Sequence, residues 1–390
     1  MNKVNFWKQF QETRFIGFDL DNTLIQYKIQ NLAKLLFECI QNYLVKEPNL
    51  SNLKECVFNP KICAKGNIID FEKGNILKLD EENKITIAFH GSKRLSNQDI
   101  MKQYDNGFLK SFTGKRDEKF LPLATEFGIG LGSFVASLID LFDQEIKKGN
   151  DLKYSSLANH LYSAMDRNFV EWENGQYFRT IEANPTKYVI PSPKTRLLLE
   201  KLIENKKELF VVTNSIPEYT RLLLDVCIGK DWRKFFKIIV YSSSKPRFFN
   251  LDNPFEICLP ENEDKKSIVE FLHGNFKQLE NELKKLTNPK NENENEKFCY
   301  FGDHLISDIQ ACKLNSNWIT TGIISELNKI NSNEHEIWGN FFYCKESLEE
   351  SKTEDKKSFW KLISDKYCDY VTSSLEDFYN EYQEFLNKKN

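Results

Sequence analysis

The chain has 390 residues, 54 basic against 57 acidic side chains (formal charge −3) and 40% hydrophobic residues. That length holds one large α/β domain with a substantial insertion, or two domains. The near-balanced charge excludes a global field that would attract nucleic acid or an anionic membrane.

Nine cysteines, scattered from Cys39 to Cys368 without a C-x-x-C pair, point to reduced thiols and argue against a disulfide frame or zinc site. Met1–Arg14 lacks the apolar run of a signal peptide. No stretch approaches the length of a transmembrane helix. A cytoplasmic protein is the expectation.

In chain order, Phe15-Ile-Gly-Phe18 reads as a short buried strand, followed at once by Asp19, Asp21 and Thr23. Leu32, Leu35, Leu36, Phe37, Ile40 and Leu44 recur at helical spacing and predict a helix with one face on the sheet. Residues 48–65 are polar and irregular. Gly74–Asp80 and Lys84–His90 alternate around a Glu-Glu-Asn turn, a predicted β-hairpin. Leu131–Lys148 is a predicted helix, with Phe134, Val135, Leu138, Leu141 and Phe142 on its apolar side. Nothing in 75–170 reads as a βαβ unit; the region reads as an insertion.

Alternating strands and helices resume near Pro191. Ser192 and Pro193 make an N-cap and first-turn pair, leading a helix with Leu198, Leu199, Leu202 and Ile203. Leu209–Val212 is a strand ending in Thr213-Asn214-Ser215, and Pro217 opens another helix. Phe235–Tyr241 is a strand followed by Ser242-Ser-Ser-Lys245-Pro246. Asn288–Lys297 is a low-complexity Asn/Glu run, expected as a solvated loop. Phe298–Phe301 ends in Gly302-Asp303, Trp318–Ile324 is a further strand, and Tyr370-Val371 the last. The alternation implies a doubly wound parallel sheet.

Parallel strands bring their carboxyl ends to one edge. Asp19 and Asp21, Thr213 and Asn214, Lys245, and Asp303 with Asp308 all follow strands. As chemistry they make a phosphoryl-transfer site. Asp19 is placed to attack phosphorus, and Asp21 to protonate the leaving alkoxide and later activate water. Asp19, the backbone carbonyl of Asp21 and Asp303 suit Mg²⁺. Asp308 could hold a metal-bound water or orient Lys245. Lys245 and the Thr213 hydroxyl would offset charge on the phosphoryl oxygens. Singly, each string also fits a helix cap or a solvated turn; the order of all four, each after an apolar strand, carries the signal.

The blocks Phe18-Asp-Leu-Asp-Asn-Thr-Leu24, Lys73–Asp80, His90-Gly91, Asn184–Val189, Val212-Thr-Asn-Ser215, Lys245-Pro246, Phe301-Gly-Asp303, Ser307-Asp-Ile309 and Ser316-Asn-Trp318 through Ser325-Glu-Leu327 resemble the haloacid dehalogenase-like (HAD) phosphohydrolases. Within them, the chain resembles the cytosolic 5′-nucleotidase-like branch. The resemblance runs from about Phe15 to Leu327 and more weakly beyond. It implies a Rossmann-type HAD core with an inserted α+β cap: core in 1–72, cap in 73–168, core again in 169–390. It also implies Mg²⁺-dependent hydrolysis of nucleoside monophosphates, and it admits a homo-oligomer. By the same resemblance Asp19 is the nucleophile and Asp21 the acid/base; Thr213, Asn214 and Lys245 bind phosphate, and Asp303 with Asp308 serve the metal.

In the cap, Phe127 looks like the family's base-stacking aromatic and Asp166 like a cap acid. Gly128 stands where purine-selective relatives carry an amide, and Tyr162 and Phe169 where they carry Arg and His. The resemblance therefore does not extend to a purine preference. His90 fits a family block and equally a structural role in the hairpin; Lys115 and Arg116 read as a surface loop. The residues leave two other readings open, a phosphatase for another small phosphomonoester and a catalytically idle binding protein on the same fold. Neither nucleic acid nor membrane is an expected partner.

Overall fold

Phe15-Ile-Gly-Phe18 is apolar on both faces, the composition of a strand covered above and below. In the computed structural model of the chain it is an interior strand of an eight-stranded sheet. The structure describes residues 3–47, 50–169, 172, 175–258, 268–287, 296–329, 337–344 and 356–388. Numbered in chain order, the strands of this sheet are β1 (Phe15–Phe18), β2 (Glu208–Val212), β3 (Phe236–Tyr241), β4 (Phe255–Ile257), β5 (Val269–His273), β6 (Phe298–Gly302), β7 (Ile319–Ile323) and β8 (Tyr370–Thr372). They lie in the order β4-β5-β3-β2-β1-β6-β7-β8, parallel except at the β4 edge. The expected doubly wound parallel sheet is present. The chain runs outward from β1 to β5 and returns to β6 on the other side of β1. Open parallel sheets place ligands at such a reversal, outside the carboxyl ends.

Two compact units divide the chain. The first comprises Met1–Tyr27, Val189–Asn328 and Ile363–Asn390 and contains this sheet. One face is an aromatic core: Phe15 stacks on Phe298 at 4.7 Å, Phe298 on Trp318 at 5.1 Å, and Leu279 and Leu283 of the helix Phe276–Thr287 close over them. On the other face Phe18 stacks on Phe301 at 5.2 Å, with Phe10 and Phe378 edge-on to Phe301. Ser192 caps the helix Pro193–Glu204 as expected, accepting from the Thr195 amide at 3.2 Å.

Several elements of this unit escape sequence patterning, β4 and the helices Phe276–Thr287 and Leu375–Asn387 among them. Lys3–Glu12 is a helix burying Phe6, Trp7 and Phe10, too short for periodicity to separate from a polar leader. β5 escapes because its apolar run is broken by Glu270, which is 4% exposed. Burying that carboxylate requires compensation. Arg221 supplies it at 2.6 Å, and the Tyr241 hydroxyl donates at 2.9 Å.

The second unit comprises Lys28–Tyr188 and Lys329–Leu362. Its five-stranded antiparallel sheet runs Lys93–Arg94, Ile85–His90, Asn75–Leu79, Ile68–Asp70, Phe120–Pro122. The predicted hairpin is its centre, and the predicted helix is Gly128–Lys147. The helix Ile29–Leu44 was expected on the parallel sheet. Instead its apolar face packs within this second unit, with Phe37 edge-on to Phe134 at 5.5 Å and Leu36 and Ile40 in the same cluster. Helical spacing identifies a buried face but not its cover. A Cβ on Gly130 would lie 2.2 Å from the Ala33 carbonyl oxygen, so this glycine permits the two helices to touch. The buried Lys78 ammonium donates to the carbonyls of Trp338 at 2.6 Å and Asn340 at 2.5 Å, fastening 337–344 to the unit.

Residues 288–295 of the predicted Asn/Glu loop lie outside the described residues; Glu296 accepts from Arg14 at 2.5 Å. Among the described residues no helix is long and apolar enough to cross a membrane.

Gly17, in the middle of β1, leaves no room for a side chain: a Cβ would lie 2.3 Å from the Phe210 ring and 2.9 Å from that of Tyr300. Gly17→Ala is expected to destabilise the protein by about 1–3 kcal/mol, the range for overpacking a close-packed core. Denaturant unfolding of the two proteins measures it, and an unchanged midpoint would contradict the packing described.

Candidate active site

Four neighbouring strands, β3, β2, β1 and β6, present their carboxyl ends side by side. Asp19 continues β1 by one residue, its amide donating to the Phe301 carbonyl on β6 at 2.8 Å. Asn22 then takes a left-handed conformation, φ 54°, which asparagine tolerates better than most residues. The chain turns back there, with the Ile25 amide donating to the Leu20 carbonyl at 2.9 Å. Thr213 follows β2, held by its amide to the Val240 carbonyl at 2.9 Å, and its hydroxyl accepts from the Ser215 amide at 3.0 Å.

Asn214 does not stand as a lone turn residue. Its side-chain oxygen accepts from the Lys245 amide at 2.6 Å and the Ser243 hydroxyl at 2.9 Å, and its NH₂ donates to the Lys245 carbonyl at 3.2 Å. The carboxamide thus grips both backbone groups of Lys245 and fixes the start of that side chain. From there the Lys245 ammonium reaches Asp19 Oδ1 at 2.7 Å, Asp308 Oδ1 at 2.6 Å, the Val212 carbonyl at 2.9 Å and the Tyr300 hydroxyl at 2.9 Å. Tyr300 in turn donates to the Val212 carbonyl at 3.0 Å.

Asp303 directly follows β6, and Asp308 lies one turn on, in a π-helical turn spanning Leu305–Gln310. Such turns occur often at functional sites. Asp308 folds back over Gly302, where a Cβ would sit 2.4 Å from Asp308 Cβ, so glycine at 302 is a steric requirement of this carboxylate's position. The His304 amide donates to Asp308 Oδ2 at 3.1 Å, and the His304 ring nitrogen Nδ1 accepts from the amides of Ile306 and Ser307, capping the turn.

Asp19, Asp303 and Asp308 are all buried and bring one oxygen each within 4.8 Å of one another. Against three carboxylates the site sets one ammonium. Burial pushes the Asp19 carboxyl up to about 7, against the pull of Lys245, with Asp308 and Asp21 adding repulsion. Burial alone lowers the Lys245 ammonium, but Asp19 and Asp308 outweigh it and hold that group above its ordinary value. The surplus of negative charge and the hard oxygen donors fit a small divalent cation of the Mg²⁺ type; Asp19, Asp303 and Asp308 are the residues that could hold one.

Asp21 is bonded differently. Its carboxyl accepts from the Tyr27 hydroxyl at one oxygen and from Ser215 Oγ at the other, at 2.6 Å. Burial raises its pKa, and these two hydrogen bonds draw it partly back.

The structure therefore brings Asp19, Asp21, Thr213, Asn214, Lys245, Asp303 and Asp308 to one sheet edge. Phe127 and Asp166 belong to the second unit, half-buried before the helix Gly128–Lys147 and exposed on the helix Ser156–Phe169 respectively. His90 is a fastening within that unit: Nδ1 lies 2.9 Å from Asn75 Oδ1, and Nε2 3.2 Å from both Asp143 Oδ1 and the Tyr154 hydroxyl. Arg116 lies over the Tyr162 ring at 3.7 Å. Sequence reasoning missed Tyr27, Ser215, Tyr300 and His304. Ser215 was within reach, directly following Thr213-Asn214; Tyr300 was masked as one more apolar strand residue, and nothing local marks Tyr27.

The 5′ nucleotidase family model matches residues 5–386. The Bos taurus "5′-nucleotidase domain-containing protein 1" is 30% identical over 334 residues, 80% of this chain and 72% of the relative. Its Homo sapiens counterpart is 29% identical over 334 residues, 80% and 71%. Among solved structures, the putative HAD-hydrolase YfnB from Bacillus subtilis, described as bound to magnesium, covers 95% of this chain and 99% of its own at 13% identity and a TM-score of 0.32.

The electrostatics predict a stability effect. Asp19 binds its proton more tightly folded (about 7) than at its ordinary value of 3.8, so its contribution to stability is lost as pH rises through that interval. Without divalent ions, Asp19→Asn is expected to melt higher than the parent at pH 8, with the advantage shrinking by pH 5, where Asp19 is already neutral in the fold. Thermal melting at the two pH values measures it; a lower melting temperature for Asp19→Asn at pH 8 would contradict the charge surplus.

Proposed function

Because this chain belongs to the 5′ nucleotidase family and is a phosphomonoester hydrolase, we propose that it splits nucleoside 5′-monophosphates into nucleoside and inorganic phosphate through a phosphorylated Asp19. The observation that carries this reading is the Lys245 ammonium held between Asp19 and Asp308 at 2.7 and 2.6 Å. A cation at that point can meet the phosphoryl oxygens as the Asp19 oxygen attacks, where charge stabilisation is the largest part of catalysis.

In the first step an Asp19 carboxylate oxygen bonds to phosphorus and the ester O–P bond breaks. The leaving alkoxide takes a proton from Asp21 and departs as the nucleoside. In the second step Asp21, now a carboxylate, removes a proton from water. The water oxygen bonds to phosphorus, the acyl-phosphate bond breaks, and phosphate leaves with Asp19 restored. Thr213 and Lys245 hold the phosphoryl oxygens throughout, with Asn214 fixing the backbone of Lys245. Mg²⁺, when bound by Asp19, Asp303 and Asp308 with the Asp21 carbonyl, supplies charge neutralisation at the phosphoryl group.

The test is phosphate release from a panel of nucleoside 5′-monophosphates and sugar phosphates with Mg²⁺. Turnover of a nucleotide class is expected, lost on chelation and restored by Mg²⁺. It should fall at least about a thousandfold in Asp19→Asn, because removing a nucleophile removes the covalent route. Turnover retained by Asp19→Asn would overturn the phospho-aspartate, and preference for a sugar phosphate would overturn the nucleotide assignment.

A further inference from the structure

Asp19 and Asp21 are the same residue type, two positions apart on one loop, yet their carboxyl groups keep different company. Asp19 faces an ammonium and two further carboxylates. Asp21 meets hydroxyls: Tyr27 donates to Oδ1, and Ser215 donates to Oδ2 at 2.6 Å. The Tyr219 hydroxyl lies 3.2 Å from that of Tyr27. A phenol has one hydrogen to give. Tyr27 commits its hydrogen to Asp21, so in this contact Tyr219 is the donor, and the chain Tyr219 to Tyr27 to Asp21 runs one way. Both tyrosines are buried.

The two donors reach Asp21 from separate segments. Tyr27 sits in the two-residue strand Gln26–Tyr27, which pairs with Val189–Ile190, while Ser215 follows β2. Two donors on opposite oxygens of a planar group fix its plane as well as its position. They are also neutral. A lysine or arginine there would hold Asp21 as a permanent anion and compete for the phosphate; hydroxyls orient the carboxyl and leave it free to exchange a proton.

We propose that Tyr27 and Ser215 are positioning residues that keep the Asp21 carboxyl out of the Asp19–Asp303–Asp308 cluster and hold its plane for proton transfer to the leaving oxygen, with Tyr219 bracing Tyr27. The proposal rests on Asp21 as the acid/base assigned above. It explains how one D-x-D string yields one carboxylate for bonding to phosphorus and another for moving protons.

Phosphomonoesters graded in leaving-group basicity test it, from p-nitrophenyl phosphate through phenyl phosphate to nucleoside 5′-monophosphates. A misplaced acid matters most when the departing oxygen is most basic, and general acid–base catalysis is worth about 10²–10⁴-fold. Tyr27→Phe and Ser215→Ala are each expected to lower kcat/KM, which reports the phosphorylation of Asp19 and not the later hydrolysis shared by all substrates, at least about tenfold on the most basic leaving group and less than about threefold on p-nitrophenyl phosphate. Ser215→Thr, which keeps a hydroxyl, recovers most of the loss. Tyr27→Phe keeps the ring's shape, and matching melting temperatures establish that the variants are folded. Equal losses on all substrates, or none, overturn the clamp. Asp21→Asn separates the two levels: if it shows no leaving-group dependence, the acid/base reading itself fails. If Asp21→Asn shows the dependence and the hydroxyl variants do not, only the clamp fails. A parent protein that hydrolyses none of the series overturns both.

Discussion

The structure depends on one ammonium group. Lys245 places its positive charge, 7% exposed as a residue, between two buried carboxylates and anchors it further on the Val212 carbonyl and Tyr300. An unpaired charge at that depth would be costly, and its carboxylates would be worse off without it. Much of the surrounding geometry follows from keeping this contact. Asn214 grips the lysine's backbone, Gly302 makes room for Asp308, and the π-helical turn returns Asp308 to the sheet edge. The pairing does not balance the site, which keeps an excess of negative charge. That excess suits a centre able to accept a cation.

The same economy of means separates the two acids of the first motif. Identity of residue type says nothing about role; the neighbours decide. Asp19 is surrounded by charge, and Asp21 by hydroxyls. Both are pushed toward holding their protons by burial, but only Asp21 is gripped at both oxygens by neutral donors. In the proposed mechanism Asp19 must be free to bond to phosphorus, whereas Asp21, as the proposed proton carrier, works best when its orientation is fixed.

The parallel sheet supplies the rigid base for this. Its winding reverses beside β1, so that strands far apart in sequence end side by side. The aromatic stacks of Phe15, Phe298 and Trp318 on one face and Phe18 and Phe301 on the other lock those strands in place. Side chains projecting from packed strand ends are held more closely than side chains on mobile loops. The second unit has its own antiparallel sheet and its own core, and its polar fastenings, His90 and Lys78 among them, serve that unit's packing.

By itself the sequence determined the strands of the parallel sheet that read as apolar runs, their winding class, and the acids, amide, hydroxyl and lysine at their ends. These are legible because buried strands are continuous in sequence and because parallel strands send their carboxyl ends to a common edge whatever the loops between them. It did not determine β5, where a buried Glu270 hides a strand behind a charge explained by Arg221, Arg233 and Tyr241, all distant in sequence. Nor did it determine what the helix Ile29–Leu44 packs on, since periodicity names a face and not its partner. Tyr27, Tyr300 and Ser215 became part of the site only through tertiary structure. Their hydroxyls matter because folding brings them within hydrogen-bond reach of Asp21 and Lys245, from 6 to 194 residues away along the chain. Composition can choose the chemical groups of a site, but the orientation of a carboxyl group is decided by whatever the fold sets against each of its oxygens.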